Sequence, residues 1–312
     1  MMNPKQPGRN VALKDLSGIL WQELQPRREG DTLIPRTLHA LLDMGRIRMQ
    51  GALLAEVEKK LRTVSSVPLL IGPEFSELTE FRPHHVTLVS GLNRDDAAFL
   101  DQWGACNGDI VSAWIVTELP AYAVAAHLRG AVFAWDKDKA RFLLFFYDPL
   151  ITPILHRVAD PKWIEWFLGP VISWWYPVAT PQEETWSRIE GGGRSTAGET
   201  VPLILGEELW DAMAKDPFPY ELLNIAEQKL PSSAFGSDCY GVRLAKIEQL
   251  LEAAREQRLK TQEDLITYVL SLLEKPERAQ ERQWQEAMKM AVSGEASLES
   301  SLEACIKNTE RI

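Results

Sequence analysis

Three carboxylates in this chain stand directly before a proline: Asp148-Pro149, Asp160-Pro161 and Asp216-Pro217. The first ends an apolar run, RFLLFFYDPLI (141–151). A carboxylate in such a setting can serve as a general acid or base, and Asp43, closing the run TLHALLD (37–43), is a second group of this kind. A hydrolase reading would use Asp43 or Asp148 with a histidine. The Asp-Pro order also has a mechanical account that needs no catalysis. Aspartate is a favoured N-cap because its oxygen accepts an orphan backbone N–H. Proline suits the first helical position, and it pushes the preceding residue into the extended conformation that a cap adopts.

The remaining reactive residues do not assemble into a recognisable motif. The histidines His39, His84, His85, His127 and His156 contain no HExxH spacing. His84 and His85 are adjacent, so on a strand they face opposite ways and do not easily share a metal. Cys106, Cys239 and Cys305 form no CxxC pair. Cys106 lies in a turn-like stretch without an identifiable base, which makes it a poor nucleophile. Neither a GxSxG elbow nor a GxGxxG fingerprint is present. The stretch EGGGRSTAGET (190–200) lacks the lysine of a phosphate-binding loop, and VPLIL rather than a helical pattern follows it. It reads as a flexible linker or loop. No metal, no cofactor and no small-molecule substrate are expected.

Aromatic residues are the more unusual feature. The chain has 11 tryptophans, and Trp163, Trp166, Trp174, Trp175 and Trp186 crowd into one region. Trp174 and Trp175 are neighbours in the strand-like VISWWYP, so they must face opposite ways. One can fill the core. The other needs a covering helix or a partner. Trp is enriched at interface hot spots, which makes Trp174, Trp175 and Trp186 the candidate partner contacts.

The elements that must position these residues follow from periodicity. Leu13, Leu16, Ile19, Leu20 and Leu24 lie on one helical stripe, ended by QPRREGD. This helix either packs on its own domain or is a detachable arm that binds a partner. TLHALLD, VPLLI, HVTLV and IVSAWIVTEL (110–119) read as strands. Helices are expected over 51–64, over 94–104 with acidic residues in its first turn, and in PAYAVAAHLRG (120–130), opened by proline and closed by glycine. AVFAWDKDKARFLLFFYD reads as a hairpin around a polar turn at Asp136 to Lys139. From Gly206 onward the apolar spacing is helical, and Thr261 with Asp264 makes a capping-box-like start. The expected fold is an α/β N-terminal lobe, a mixed sheet with packed helices, followed by an all-α C-terminal domain. The expected divisions are an N-terminal arm over 1–36, the α/β domain over 37–189, a linker or loop over 190–205 and the helical domain over 206–312.

Bulk properties limit the function class. The chain has 312 residues, 45% hydrophobic and 25% charged, enough to bury a real core. Its formal net charge is −10, and from Gly206 onward 13 Lys/Arg stand against 20 Asp/Glu. An acidic chain repels phosphate backbones, so nucleic acid is not an expected partner. The sparse cysteines suit a reducing cytoplasm, and the polar start MMNPKQPGRN lacks the apolar core of a signal peptide. The longest charge-free stretch, Trp166 to Gln182, is broken by glycine and proline, so no membrane span is expected.

Three motifs in order complete the reading. They are LHALLD (38–43), FLLFFYDPLI (142–151) and WIEWFLGPVISWWYP (163–177). Over about residues 37–178 the chain resembles the type VI secretion effector chaperones, or adaptor proteins. That family was long catalogued as a domain of unknown function encoded beside VgrG spike proteins. The matching positions are Leu41, Leu42 and Asp43; Phe146, Tyr147, Asp148 and Pro149; and Phe167, Gly169, Pro170 and Trp174. Arg141 lies further from the Asp-Pro motif than the arginine of the family pattern, and Phe-Leu-Gly stands where a double aromatic is usual. The resemblance implies a cytoplasmic, non-enzymatic adaptor. Such a protein binds an effector, stabilises it and loads it onto the VgrG spike, without nucleic acid or membrane as partners. An immunity-like protein that binds the toxin itself is the other non-enzymatic alternative.

Overall fold

A computed structural model describes residues 11–43, 59, 65–70, 75, 86–90, 111–214 and 216–309. The expected helix over 51–64 (Lys59 apart), the one over 94–104, and His84, His85 and Cys106 lie outside the described residues. Two compact units divide the chain: residues 1–178 with 184–215, and residues 216–312 with 179–183. The first is an α/β lobe and the second is helical.

The lobe is built on a seven-stranded sheet. Its strands are β1 (Val11–Ala12), β4 (Thr37–Asp43), β5 (Ser65–Pro68), β6 (Val86–Ser90), β7 (Val111–Thr117), β10 (Val171–Ala179) and β11 (Glu184–Glu190). They lie in the order β1-β11-β10-β7-β4-β6-β5. The pairs β1–β11, β7–β10, β4–β7, β4–β6 and β5–β6 are antiparallel, with Ala40 opposite Trp114 and Trp114 opposite Trp175. β5 begins two residues before the apolar run VPLLI, and Leu69 and Leu70 follow it as core residues. Every residue of β7 is buried, and so are five of the seven in β4. Their continuous apolar runs reflect a sheet covered on both faces.

The two faces carry different covers. On one lie α1 (Leu13–Glu23) and a cluster of Leu16, Leu20, Leu38, Ala40, Leu42, Trp114, Val116, Trp175 and Trp186. On the other, Leu41, Ala113, Ile115 and Trp174 pack with α2 (Ala121–Arg129), α3 (Thr152–Val158) and α4 (Pro161–Phe167). A three-stranded mixed sheet adds β8 (Phe133–Trp135), β9 (Arg141–Leu143) and β12 (Leu203–Ile204), with β8–β9 antiparallel and β12–β8 parallel. The expected hairpin is present. Asp136 Oδ1 accepts the N–H groups of Asp138 and Ala140, and Lys139 takes φ +65° to close the turn. QPRREGD does more than end α1: it forms a second small hairpin, β2 (Arg27–Glu29) with β3 (Thr32–Ile34), turned by Gly30 at φ +59°. Arg27 pairs with Glu118 at the end of β7 at 3.0 Å.

Residues 190–205 belong to the first unit, which continues through α5 (Glu207–Met213) to Lys215. The glycine-rich stretch has no regular structure, but backbone bonds pin it. Gly191 N–H donates to Ile172, Gly192 N–H to Leu168, Gly193 N–H to Val171 and Arg194 N–H to Gly169. Glycine is required for closeness here, because a Cβ on Gly191 would overlap the Val171 carbonyl and one on Gly192 would lie 2.8 Å from the Gly169 carbonyl oxygen. Composition suggests flexibility. The close backbone contact converts the glycines into a strap.

The helical unit holds α6 (Phe218–Lys229), α7 (Tyr240–Glu256), α8 (Gln262–Glu274), α9 (Arg282–Ser293) and α10 (Leu298–Thr309). Its core includes Leu222, Leu223, Ile247, Leu251, Val269 and Trp284, with the Tyr268 and Trp284 rings 5.6 Å apart. Thr261 Oγ1 accepts the Asp264 N–H at 3.1 Å, as its capping spacing predicts. Asp264 does a second job: its Oδ1 accepts the Leu298 N–H at 2.7 Å, capping α10 as well. One buried carboxylate thus ties the starts of two helices together.

Candidate functional site

The second and third sequence motifs converge on one aromatic cluster between the sheet and α4, and Leu41 of the first motif belongs to the same core. Phe146 stands edge-on to Tyr147 and to Phe167, each at 5.5 Å between centroids, and 6.4 Å from Trp174. Phe167 stacks on Trp163 at 4.7 Å and meets Trp174 at 5.4 Å. Edge-to-face and offset pairs at these spacings add to area burial. Tyr147 and Phe146 arrive on the turn after β9, Phe167 at the end of α4 and Trp174 on β10. The motif residues are therefore far apart in sequence and adjacent in space, as a fold signature requires.

The Asp-Pro pairs act alike. In each, the carboxylate accepts the N–H two residues on: Asp148 from Leu150 at 2.8 Å, Asp160 from Lys162 at 2.8 Å and Asp216 from Phe218 at 3.0 Å. Asp160 is a true N-cap with Pro161 at the first position of α4. Asp148 differs in detail. Its turn runs through Pro149, Leu150 and Ile151 before α3 begins at Thr152, whose hydroxyl bonds the Phe146 and Asp148 carbonyls. The apolar run itself extends only to Leu143 as a strand, so Phe146 and Tyr147 sit in the turn rather than on β9. Asp43 closes β4 opposite Val86, on a different element from Asp148. Gly169 and Pro170 shape the step from α4 into β10. A Cβ on Gly169 would lie 2.9 Å from the Glu165 carbonyl oxygen, and the Pro170 carbonyl accepts from the Thr117 hydroxyl at 2.6 Å. Arg141 lies over the Phe133 ring at 4.3 Å, a cation–π contact away from the Asp-Pro turn.

The three tryptophans named as candidate partner contacts are buried within the chain. Trp174, Trp175 and Trp186 are 0%, 2% and 0% exposed. Trp174 fills the motif cluster. Trp175 and Trp186 face the other way and are covered by α1, which supplies the covering helix that the pair demanded. The device that holds α1 was not among the sequence candidates. Glu23, in its last turn, accepts from Trp175 Nε1 at 3.0 Å, from Arg188 Nε at 2.7 Å and from the Ser173 hydroxyl. Arg36 adds a bond to the Glu23 carbonyl at 3.0 Å. A sequence signal existed. A glutamate at a helix C-terminus, with no basic residue in that turn, opposes the macrodipole and implies a partner elsewhere.

Two of the described histidines, His39 and His127, are packed into the core. His39 is buried in β4 with Nε2 3.0 Å from the Thr37 hydroxyl, and desolvation lowers its pKa to about 4. His127 donates from Nε2 to the Phe167 carbonyl at 2.9 Å and packs 4.7 Å from the Trp166 ring, and burial lowers its pKa too. Among the described residues, no group of three or more His, Cys, Asp and Glu side chains could hold a metal, and no helix is long and apolar enough to cross a membrane.

The fold and its motif cluster define a two-unit chain whose marked residues shape turns and core. Residues 38–165 match the family model of a domain of unknown function, DUF4123. Nothing matches the chain among curated proteins or among solved structures.

Proposed function

We propose that this chain is a cytoplasmic adaptor that binds a cognate type VI secretion effector, stabilises it and loads it onto the VgrG spike, with no catalytic step of its own. The observation that carries the reading is the match over residues 38–165, whose span contains the strand that ends at Asp43 and the Asp148-Pro149 turn. The role of Asp148 is in keeping with it, since its Oδ1 is engaged in shaping a turn. The test is to express the effector encoded nearby with and without this chain. The adaptor reading expects co-purification, higher effector solubility and loss of delivery when the gene is deleted. An effector equally soluble and equally delivered without it ends the reading. Neutralisation of the toxin in the same cytoplasm would favour an immunity role instead.

A further inference from the structure

α1 is a weak helix over a strong surface. Its 11 residues are too few for stability in isolation. Gly18 interrupts its interior, and Ala12 offers no side-chain cap. Its buried apolar anchors are Leu16 and Leu20, one turn apart, and its polar anchor is Glu23, three residues beyond. Beneath it lie Trp114, Trp175 and Trp186, the residue type most enriched at interface hot spots. Removing α1 would expose these rings and strip the acceptor from three donors at once, namely Arg188 Nε, Trp175 Nε1 and the Ser173 hydroxyl. Whatever replaces α1 must bring a carboxylate, since unpaired donors on a newly covered face are costly.

We propose that α1 is a displaceable lid, and that the face beneath it docks an amphipathic helix of a protein partner. The docking helix would present two leucine-like residues one turn apart and a carboxylate three residues further on. Charge complementarity at Arg188 fixes its direction, because only one orientation sets the carboxylate against the three donors. That the natural occupant belongs to an effector rests on the adaptor reading. The lid and its chemistry do not, and the test uses no effector, so the two can fail separately.

The test uses the full chain, its Gly18→Ala and Glu23→Gln variants, and a labelled peptide copying residues 11–26. Hydrogen exchange is expected to show α1 amides opening while β10 stays protected. Gly18→Ala adds a methyl to open space, so it should close the lid about fivefold further and weaken peptide binding by the same factor. Glu23→Gln should open the lid and strengthen peptide binding about tenfold, by losing a charge-assisted clamp. A peptide whose own Glu23 is changed to Lys should bind at least about tenfold more weakly than the copy. If Glu23→Gln does not fold, the comparison of wild type with Gly18→Ala still decides. The proposal is overturned if α1 exchanges only as fast as β10, or if the peptide binds both chains equally or neither. Dimerisation by exchange of α1 would overturn it in favour of a second copy as occupant.

Discussion

Asp148 and His39 are the residues whose roles are easiest to test. Asparagine retains the side-chain oxygen that accepts the Leu150 N–H, and alanine does not. Asp148→Asn is therefore expected to leave stability almost unchanged, and Asp148→Ala to lose about 1 kcal/mol in urea unfolding. Equal losses for both would show that the charge, not the acceptor, matters. His39 predicts an acid response. Its folded pKa of about 4 lies below the unfolded value near 6.5. As pH falls, the unfolded chain takes up the proton first. The stability is complete above about pH 6.5 and declines until the folded pKa is passed, a loss of about 3 kcal/mol. His127 and His156, also lowered by burial, act in the same direction. His39→Gln should flatten the profile between pH 6.5 and 4, and an unchanged slope would remove His39 as its source.

At the scale of elements, the strap and the aromatic cluster make opposite demands on small and large residues. Gly191→Ala forces a methyl into the Val171 carbonyl, and the expected loss is about 2–4 kcal/mol. Gly18→Ala fills open space within α1 and should stabilise by about 1 kcal/mol. Thermal melts of the two variants moving in the same direction would contradict the strap. Trp174→Ala leaves a cavity among Phe146 and Phe167, with an expected loss of about 3–5 kcal/mol. Trp210 packs on Phe142 but stays 45% exposed, so Trp210→Ala should cost far less. The strand and helix elements were readable because apolar spacing records which face is covered. TLHALLD is β4 residue for residue, and the helical spacing after Gly206 became α5 to α10. The strap was not readable, because a run of glycines looks the same whether it is loose or pressed against a backbone.

On the proposed adaptor reading the partners of the whole molecule are proteins, and its formal net charge of −10 disfavours a phosphate backbone. Deleting residues 1–26 would uncover Trp175 and Trp186. Such a chain is expected to gain self-association or affinity for the α1 peptide, and light scattering with and without that peptide separates the two. By itself the sequence determined the types of most described elements, the Asp-Pro turn device and the need for a cover over one member of the Trp174-Trp175 pair. All three follow from local rules: side-chain period, cap chemistry and the alternation of faces on a strand. Only the tertiary structure decided that the cover is α1, that Glu23 clamps it, and that 190–205 is a strap within the first unit. Those outcomes depend on which distant segments meet, and spacing along a chain carries no record of that.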